Sequence, residues 1–248
     1  MSKVLLVTGA SRGIGAATAR LAGERGYDVC VNFARNEAQA EEVAEHIRAQ
    51  GQRAITVQAD VGDEADIVRM FKTMDEELGT LDAFFNNAGV IDLSARVAEM
   101  TGASIERMMR INVTGSMLCA REAVLRMSTK HGGQGGTIVN MSSAAARLGG
   151  ANGLIHYATS KGAIDTFTKG LAEEVGAEGI RVNAVRPGII ETDIHDDTGI
   201  PGRVETLGPT VPMARSGSPE EVGEAVLWLL SDAASYVTGT FVDISGGR

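Results

Sequence analysis

The sequence predicts an α/β fold in which a parallel sheet is covered by helices on both faces. Short apolar runs alternate with longer segments of near-3.6 periodicity along all 248 residues. The runs are continuously apolar, as in strands buried on both faces, rather than apolar at every second residue. No Pro/Ser-rich linker, solenoid-length repeat or low-complexity tract breaks the alternation, so residues 1–248 read as one domain.

Seven runs supply seven strands. Val4 to Val7 ends in Thr8-Gly9 and is followed by Val29 to Phe33, Ala54 to Val57 and Ala83-Phe84-Phe85. Thr137-Ile138-Val139, Val182 to Val185 and Phe241 to Ile244 complete the set. Between them, Ile164, Phe167, Leu171 and Val175 form one helical stripe, and Val222, Ala225, Val226 and Leu229 another. Ser218-Pro219-Glu220-Glu221 predicts the start of that second helix: Ser218 as N-cap, Pro219 in the first turn and Glu221 closing a capping box. Gly132-Gly133-Gln134-Gly135-Gly136 reads as a surface loop before a strand.

Composition narrows the function. Hydrophobic residues make up 44% and charged residues 22%, globular proportions that exclude a disordered or fibrous chain. The 31 Gly against 5 Pro imply many tight turns. A formal net charge of -9 supplies no general basic footprint for nucleic acid. Cys30 and Cys119 fit buried thiols in a reducing compartment. No apolar run is long enough for a signal-peptide core or a membrane span, so the expected location is cytoplasmic. His46, His131, His156 and His195 are scattered and have no metal-ligand spacing with the cysteines, so no metal site is expected. No Gly-x-Ser-x-Gly elbow surrounds Ser142-Ser143, which leaves a hydrolase triad unsupported.

Thr8-Gly9-Ala10-Ser11-Arg12-Gly13-Ile14-Gly15 follows the first strand and opens the first helix. Its glycines allow a pyrophosphate to approach the backbone, and the helix start offers free N–H groups. A plain strand-to-helix turn would look similar. The second strand ends Val31-Asn32-Phe33-Ala34-Arg35-Asn36 without the acid that would bind a free ribose 2′-hydroxyl. Arg12 and Arg35 favour a 2′-phosphate instead, since a guanidinium fork matches phosphate oxygens. Two merely solvated arginines are the alternative. NADP(H) is therefore the preferred cofactor, with NAD(H) still open.

Tyr157-Ala158-Thr159-Ser160-Lys161 places a Tyr and a Lys one helical turn apart on one face. Ser143 follows the Thr137 strand and lies fourteen residues before Tyr157. Another strand ends in Asn86-Asn87-Ala88-Gly89, with Asn112 in the helix beyond it. Together these motifs resemble the short-chain dehydrogenase/reductase family, in order and over essentially the whole chain. The resemblance implies a single Rossmann-like, doubly wound domain. It also implies a catalytic tetrad of Asn112, Ser143, Tyr157 and Lys161. Cofactor contacts are implied at Gly9, Ser11, Arg12, Gly13, Ile14, Gly15, Asn32, Arg35, Asp60, Val61, Asn87, Ala88, Gly89, Tyr157 and Lys161. Arg186-Pro187-Gly188 followed by Thr192 resembles the segment that holds the nicotinamide carboxamide, which adds Pro187, Gly188 and Thr192. Family members are often tetramers, so a homotetramer is implied. The small residues Gly162, Ala163, Thr166 and Gly170 would let another helix approach.

Ser143 is one residue further from the tyrosine than the family's usual serine, which points to an insertion in the Ala144–His156 loop. The implied reaction is hydride transfer between a nicotinamide and a small-molecule carbonyl or secondary alcohol. Tyr157 is the expected general acid/base, its pKa lowered from ~10 by Lys161. Ser143 is expected to hold the carbonyl oxygen and Asn112 to tether a water behind Lys161. Acyl-carrier-protein reductases and glucose dehydrogenase-like members resemble the chain comparably, so 3-oxoacyl thioesters and sugars or polyols both remain open. A cofactor-sensing protein without turnover is the alternative from another class. Residues 190–212, rich in acids, Gly and Pro, are expected to form a mobile lid without helix before Val204.

Overall fold

A computed structural model describes residues 2–248. Its sheet has seven strands, all parallel: β1 (Val4–Val7), β2 (Asp28–Phe33), β3 (Ala54–Gln58), β4 (Ala83–Asn86), β5 (Gly136–Met141), β6 (Ile180–Pro187) and β7 (Phe241–Ile244). Their order is β3-β2-β1-β4-β5-β6-β7. The chain winds outward from β1 to β3 and then in the opposite direction from β4 to β7. This reversal opens a crevice at the carboxyl ends of β1 and β4, where the crossovers diverge to opposite faces.

The crossovers are α1 (Gly13–Glu24), α2 (Glu37–Ala49), α3 (Glu64–Glu77), α4 (Gly102–Met109), α5 (Ser116–Met127), α6 (Ala145–Leu148), α7 (Ile155–Val175), α8 (Arg203–Leu207) and α9 (Pro219–Leu230). Alternate strand residues feed two cores. Leu5, Val7, Val29 and Phe85 pack under α1, α2 and α9. Leu6, Cys30 and Phe84 pack under α3, α5 and α7. The continuous apolar runs thus serve both faces. Cys30 and Cys119 are buried, and burial pushes both thiols up, that of Cys119 to about 12.

β6 is twice as long as its apolar run suggests because its polar residues find partners within the fold. Arg181 donates to the carbonyls of Leu229 and Ser231, and Asn183 to that of Val237. Paired in this way, polar side chains can stand in a buried strand. α9 starts as predicted, with Ser218 and Glu221 bonded reciprocally as a capping box.

Candidate active site

The crevice is a cleft of about 710 Å³, in the usual range for a ligand site. The Gly9–Gly15 loop forms one end and the start of α7 the other. The loop is strapped to the sheet. Thr8 Oγ1 accepts from the backbone N–H groups of Asn87 and Ala88, each at 3.0 Å. Asn87 Nδ2 donates to the carbonyls of Thr8 (2.8 Å) and Gly9 (3.1 Å). Gly9 and Gly13 take φ of +63° and +56°, which turns the backbone into the cleft at little cost. The first turn of α1 carries no acid and no side-chain cap, so its N–H groups remain free for an anion. This donor set fits a dinucleotide pyrophosphate.

At the ribose end the packing places three residues away from a free ribose contact. Phe33 does not face the cleft; it is 4% exposed and packed in the core beneath α1 and α2. Ala34, Arg35 and Asn36 line the cleft in its place. Asn32 borders the cleft, but its side chain turns inward, with Oδ1 accepting from Gly9 N and Nδ2 donating to the carbonyls of Val57 and Ala59. It shapes the loop rather than presenting a free amide. Arg12 does not converge with Arg35, because its guanidinium lies 3.8 Å from Asp193 and 3.6 Å from Asp197. Arg35 is exposed and has no ion pair among the described residues. Asp60 and Val61 line the neighbouring wall, with the Asp60 carboxylate accepting from Gly62 N.

At the other end, the two adjacent serines separate. Ser142 is buried, with its hydroxyl donating to Asp165 at 2.6 Å. Both serines border the cleft, but it is the Ser143 side chain that bonds to Tyr157. Lys161 is 3% exposed; its Nζ donates to the Met141 carbonyl at 2.8 Å and lies 5.7 Å from the centre of the Tyr157 ring. The electrostatics differ from expectation. Burial pushes the Tyr157 phenol above its ordinary value, against the opposing pull of Ser143 and the Arg203 charge. Lys161 is itself pushed down to about 8 by burial, with Asp165 opposing. Burial dominates at both groups: Lys161 is itself enclosed beneath the half-buried Tyr157 and loses much of its own hydration.

Asn112 does not line the cleft. It lies in a π-turn, Arg110–Gly115, between α4 and α5, and is 1% exposed. Its amide accepts from Val90 N and donates to Val90 O, each at 2.8 Å, and also donates to Ser160. The extra residue of a π-turn rotates a side chain out of the helical pattern, a device frequent at functional sites. Asn112 thereby fixes the chain after β4 directly behind Lys161. A Cβ on Gly89 would lie 3.2 Å from Asn112 Oδ1 and 3.4 Å from Lys161 Nζ, so a larger residue there would crowd both side chains.

Ala88, Gly89, Pro187, Gly188 and Thr192 also line the cleft. Gly188 N is held by the Ile244 carbonyl, and the Thr192 methyl packs 3.3 Å from where a Cβ on Gly13 would stand. The segment beyond contains a single 3-10 turn, Asp193–Thr198, and α8 begins at Arg203, both before the expected helix start at Val204. Sequence reasoning missed the Ser142–Asp165–Arg186 network, in which Arg186 grips Asp165 at 2.8 Å. Asp165 lies one helical turn beyond Lys161 on the same face, a spacing that was available as a signal. It also missed Arg107, Arg110, Arg203 and Arg248 around the rim.

Residues 9–248 match a family model described as enoyl-(acyl carrier protein) reductase. The chain is 51% identical over 245 residues to a protein of Escherichia coli K12 named uncharacterized oxidoreductase YgfF, covering 99% of both. It is 39% identical to cis-4-hydroxycyclohexanecarboxylate dehydrogenase of Sinomonas cyclohexanicum (99% of this chain, 96% of the relative). It is 37% identical to glucose 1-dehydrogenase 2 of Bacillus subtilis (99% and 94%). Among solved structures, a short-chain type dehydrogenase/reductase from Mycobacterium marinum superposes with a TM-score of 0.92 at 34% identity (99% and 94%). A short chain dehydrogenase from Burkholderia cenocepacia J2315, solved in complex with NADP, gives 0.91 at 31% (99% and 97%).

Proposed function

Because the chain belongs to the short-chain dehydrogenase/reductase family and is an oxidoreductase, we propose that it uses NADP(H) to interconvert a carbonyl and a secondary alcohol, with Tyr157 as general acid/base. One observation carries this reading: Ser143, Tyr157 and Lys161 share a cleft with the uncapped amides of the Gly9–Gly15 loop. In reduction, one carbonyl, one NADPH and one proton become one alcohol and one NADP+.

The bound nicotinamide supplies the hydride chemistry; the chain supplies binding, orientation and the proton. Gly9, Ser11, Gly13, Ile14 and Gly15 line the pyrophosphate cradle, and Asp60 and Val61 border the adenine. Asn87, Ala88 and Gly89 hold the middle of the cofactor, while Pro187, Gly188 and Thr192 hold its carboxamide end. Arg35 carries the preference for a 2′-phosphate, with Arg12 joining it by leaving Asp193 and Asp197. Ser143 donates to the substrate oxygen. Tyr157, protonated at neutral pH, gives its proton to that oxygen in reduction and takes it back in oxidation. Lys161 anchors the ribose and delivers positive charge beneath the phenol. Asn112 keeps the chain behind Lys161 in place.

The chain is further proposed to work as a cytoplasmic homotetramer. Exposed Met117 and Leu125 on α5, and open space at Gly162 and Gly170 on α7, leave faces free for helix docking.

The test is oxidation of NADPH and of NADH over a panel of 3-oxoacyl thioesters, cyclic keto acids and aldoses. Turnover should favour NADPH, Tyr157→Phe should lower it about 10²- to 10⁴-fold, and Arg35→Ala should weaken NADPH binding but not NADH binding. Tight NADPH binding without turnover on any substrate would support the sensing alternative instead.

A further inference from the structure

We propose that the substrate carries a carboxylate, and that Arg203, the first residue of α8, is the specificity residue that receives it. This rests on the oxidoreductase reading for what happens at the other end of the substrate. Arg203 lines the same cleft as Ser143 and Tyr157. It is half-buried, and its Nε is shut off from solvent with no hydrogen-bond partner. Among the described residues it forms neither an ion pair nor a hydrogen bond.

The other arginines of the cleft are either paired with acids or, like Arg35 and Arg248, exposed to solvent. Arg12 pairs with Asp193 and Asp197, Arg107 with Asp92, and Arg110 with Asp60. In a chain with 32 acidic residues against 23 Lys and Arg, a carboxylate partner for Arg203 was readily available. The charged group that weighs most on Arg203 is instead a second guanidinium, that of Arg248, which also lines the cleft. A half-desolvated cation without a counter-charge is unfavourable by itself and recovers that loss when an anion enters. The Arg203 charge also reaches the reacting group, drawing the Tyr157 phenol down against burial. Arg203 lines one cleft with Ser143 and Tyr157, so a single small molecule can place an anion at Arg203 and its reacting oxygen at Tyr157.

The surroundings indicate which anion. Leu148, Leu154 and Ile194 add apolar surface to the same cleft. One planar guanidinium amid apolar walls suits a monoanionic carboxylate on a hydrocarbon frame, taken in a two-pronged fork. A phosphate dianion asks for more donors than this wall offers. The reading favours a keto or hydroxy acid over a free sugar.

The experiment compares kcat/KM with NADPH for two matched pairs: 4-oxocyclohexanecarboxylate and 4-oxopentanoate, each against its methyl ester. Wild type should prefer at least one acid about 10- to 100-fold, the range of a charge-assisted hydrogen bond. Arg203→Met should bring that ratio close to one, chiefly through KM, and Arg203→Lys should restore part of it. A wild-type ratio near or below one for both pairs, an unchanged ratio in Arg203→Met, or a preference for glycerone phosphate over both acids would overturn the proposal. If none of the four is turned over, the wider substrate panel decides the NADPH reading separately, and calorimetry on the NADP-loaded protein decides the carboxylate site. Cyclohexanecarboxylate binding to wild type but not to Arg203→Met, with cyclohexanecarboxamide binding to neither, upholds it. No binding, or equal binding to both proteins, overturns it.

Discussion

Lys161→Met should make the cofactor-free protein more stable at neutral pH, although it removes a residue the proposed chemistry needs. Lys161 is 3% exposed, and burial lowers its pKa from 10.5 to about 8. At about 1.36 kcal/mol per tenfold change in proton affinity, holding the ammonium inside costs about 3 kcal/mol. Methionine has a similar shape and no charge, but it orphans the Met141 carbonyl that Lys161 now satisfies. That loss is about 1 kcal/mol. The net gain of about 2 kcal/mol translates into a rise in Tm of about 4 to 8 °C for a domain of this size.

The pH dependence identifies the cause. Below pH 8 the folded and unfolded chains both hold the proton, so the full penalty is present. Between pH 8 and 10.5 the folded protein releases the proton while the unfolded chain keeps it, so the penalty fades. Above 10.5 it is gone. Thermal melts of wild type and variant at pH 7 and pH 10.5 should therefore show a gap that disappears and turns slightly against the variant at the higher value, where only the orphaned Met141 carbonyl remains. Taking the difference cancels the titration of Cys30, Cys119 and Tyr157, provided the substitution leaves them alone. A variant less stable at pH 7, or a gap that does not change with pH, would refute the desolvation argument.

Two further outcomes follow from the geometry. Phe33→Asp should not switch the cofactor towards NAD(H); it should destabilise the fold by about 3 to 5 kcal/mol, because it puts an unpaired carboxylate into the core in place of a large ring. A soluble, stable variant with a changed NADPH:NADH ratio would show that the β2 end is placed differently. In hydrogen exchange, amides of residues 193–200 should exchange rapidly in the free protein, where this largely exposed segment is held across the loop mouth only by the solvent-exposed Arg12 ion pairs, and should slow on adding NADP(H), because the segment follows Thr192 at the proposed carboxamide end. Protection already high without cofactor, and unchanged with it, would leave no lid to explain.

The architecture was written in the chain because its signals are local. Val4–Val7 and Phe241–Ile244 are strands at the predicted bounds, and Ser218 and Glu221 cap α9 through neighbours three residues apart. The Tyr157–Lys161 pair was likewise legible, since helical geometry alone puts residues four apart on one face. Ser143 was chosen over Ser142 from a family spacing, and the fold separates their hydroxyls: that of Ser142 is taken by Asp165 and that of Ser143 by Tyr157.

Tertiary structure decided what depends on groups distant in sequence. Whether Phe33 meets ribose or core depends on α1 and α2 closing over the sheet. Arg12 is turned towards Asp193 and Asp197, some 180 positions away, and no periodicity encodes that. The proton affinities of Tyr157 and Lys161 depend on how much solvent the packed fold excludes around them. Lys161 looks like a cation that lowers a phenol's pKa when only its spacing is known. Buried, it is short of water itself, and desolvation sets the balance. Arg203 gave no signal in the sequence for the same reason: having no partner is a property of the folded molecule, visible only once every candidate carboxylate has been placed elsewhere.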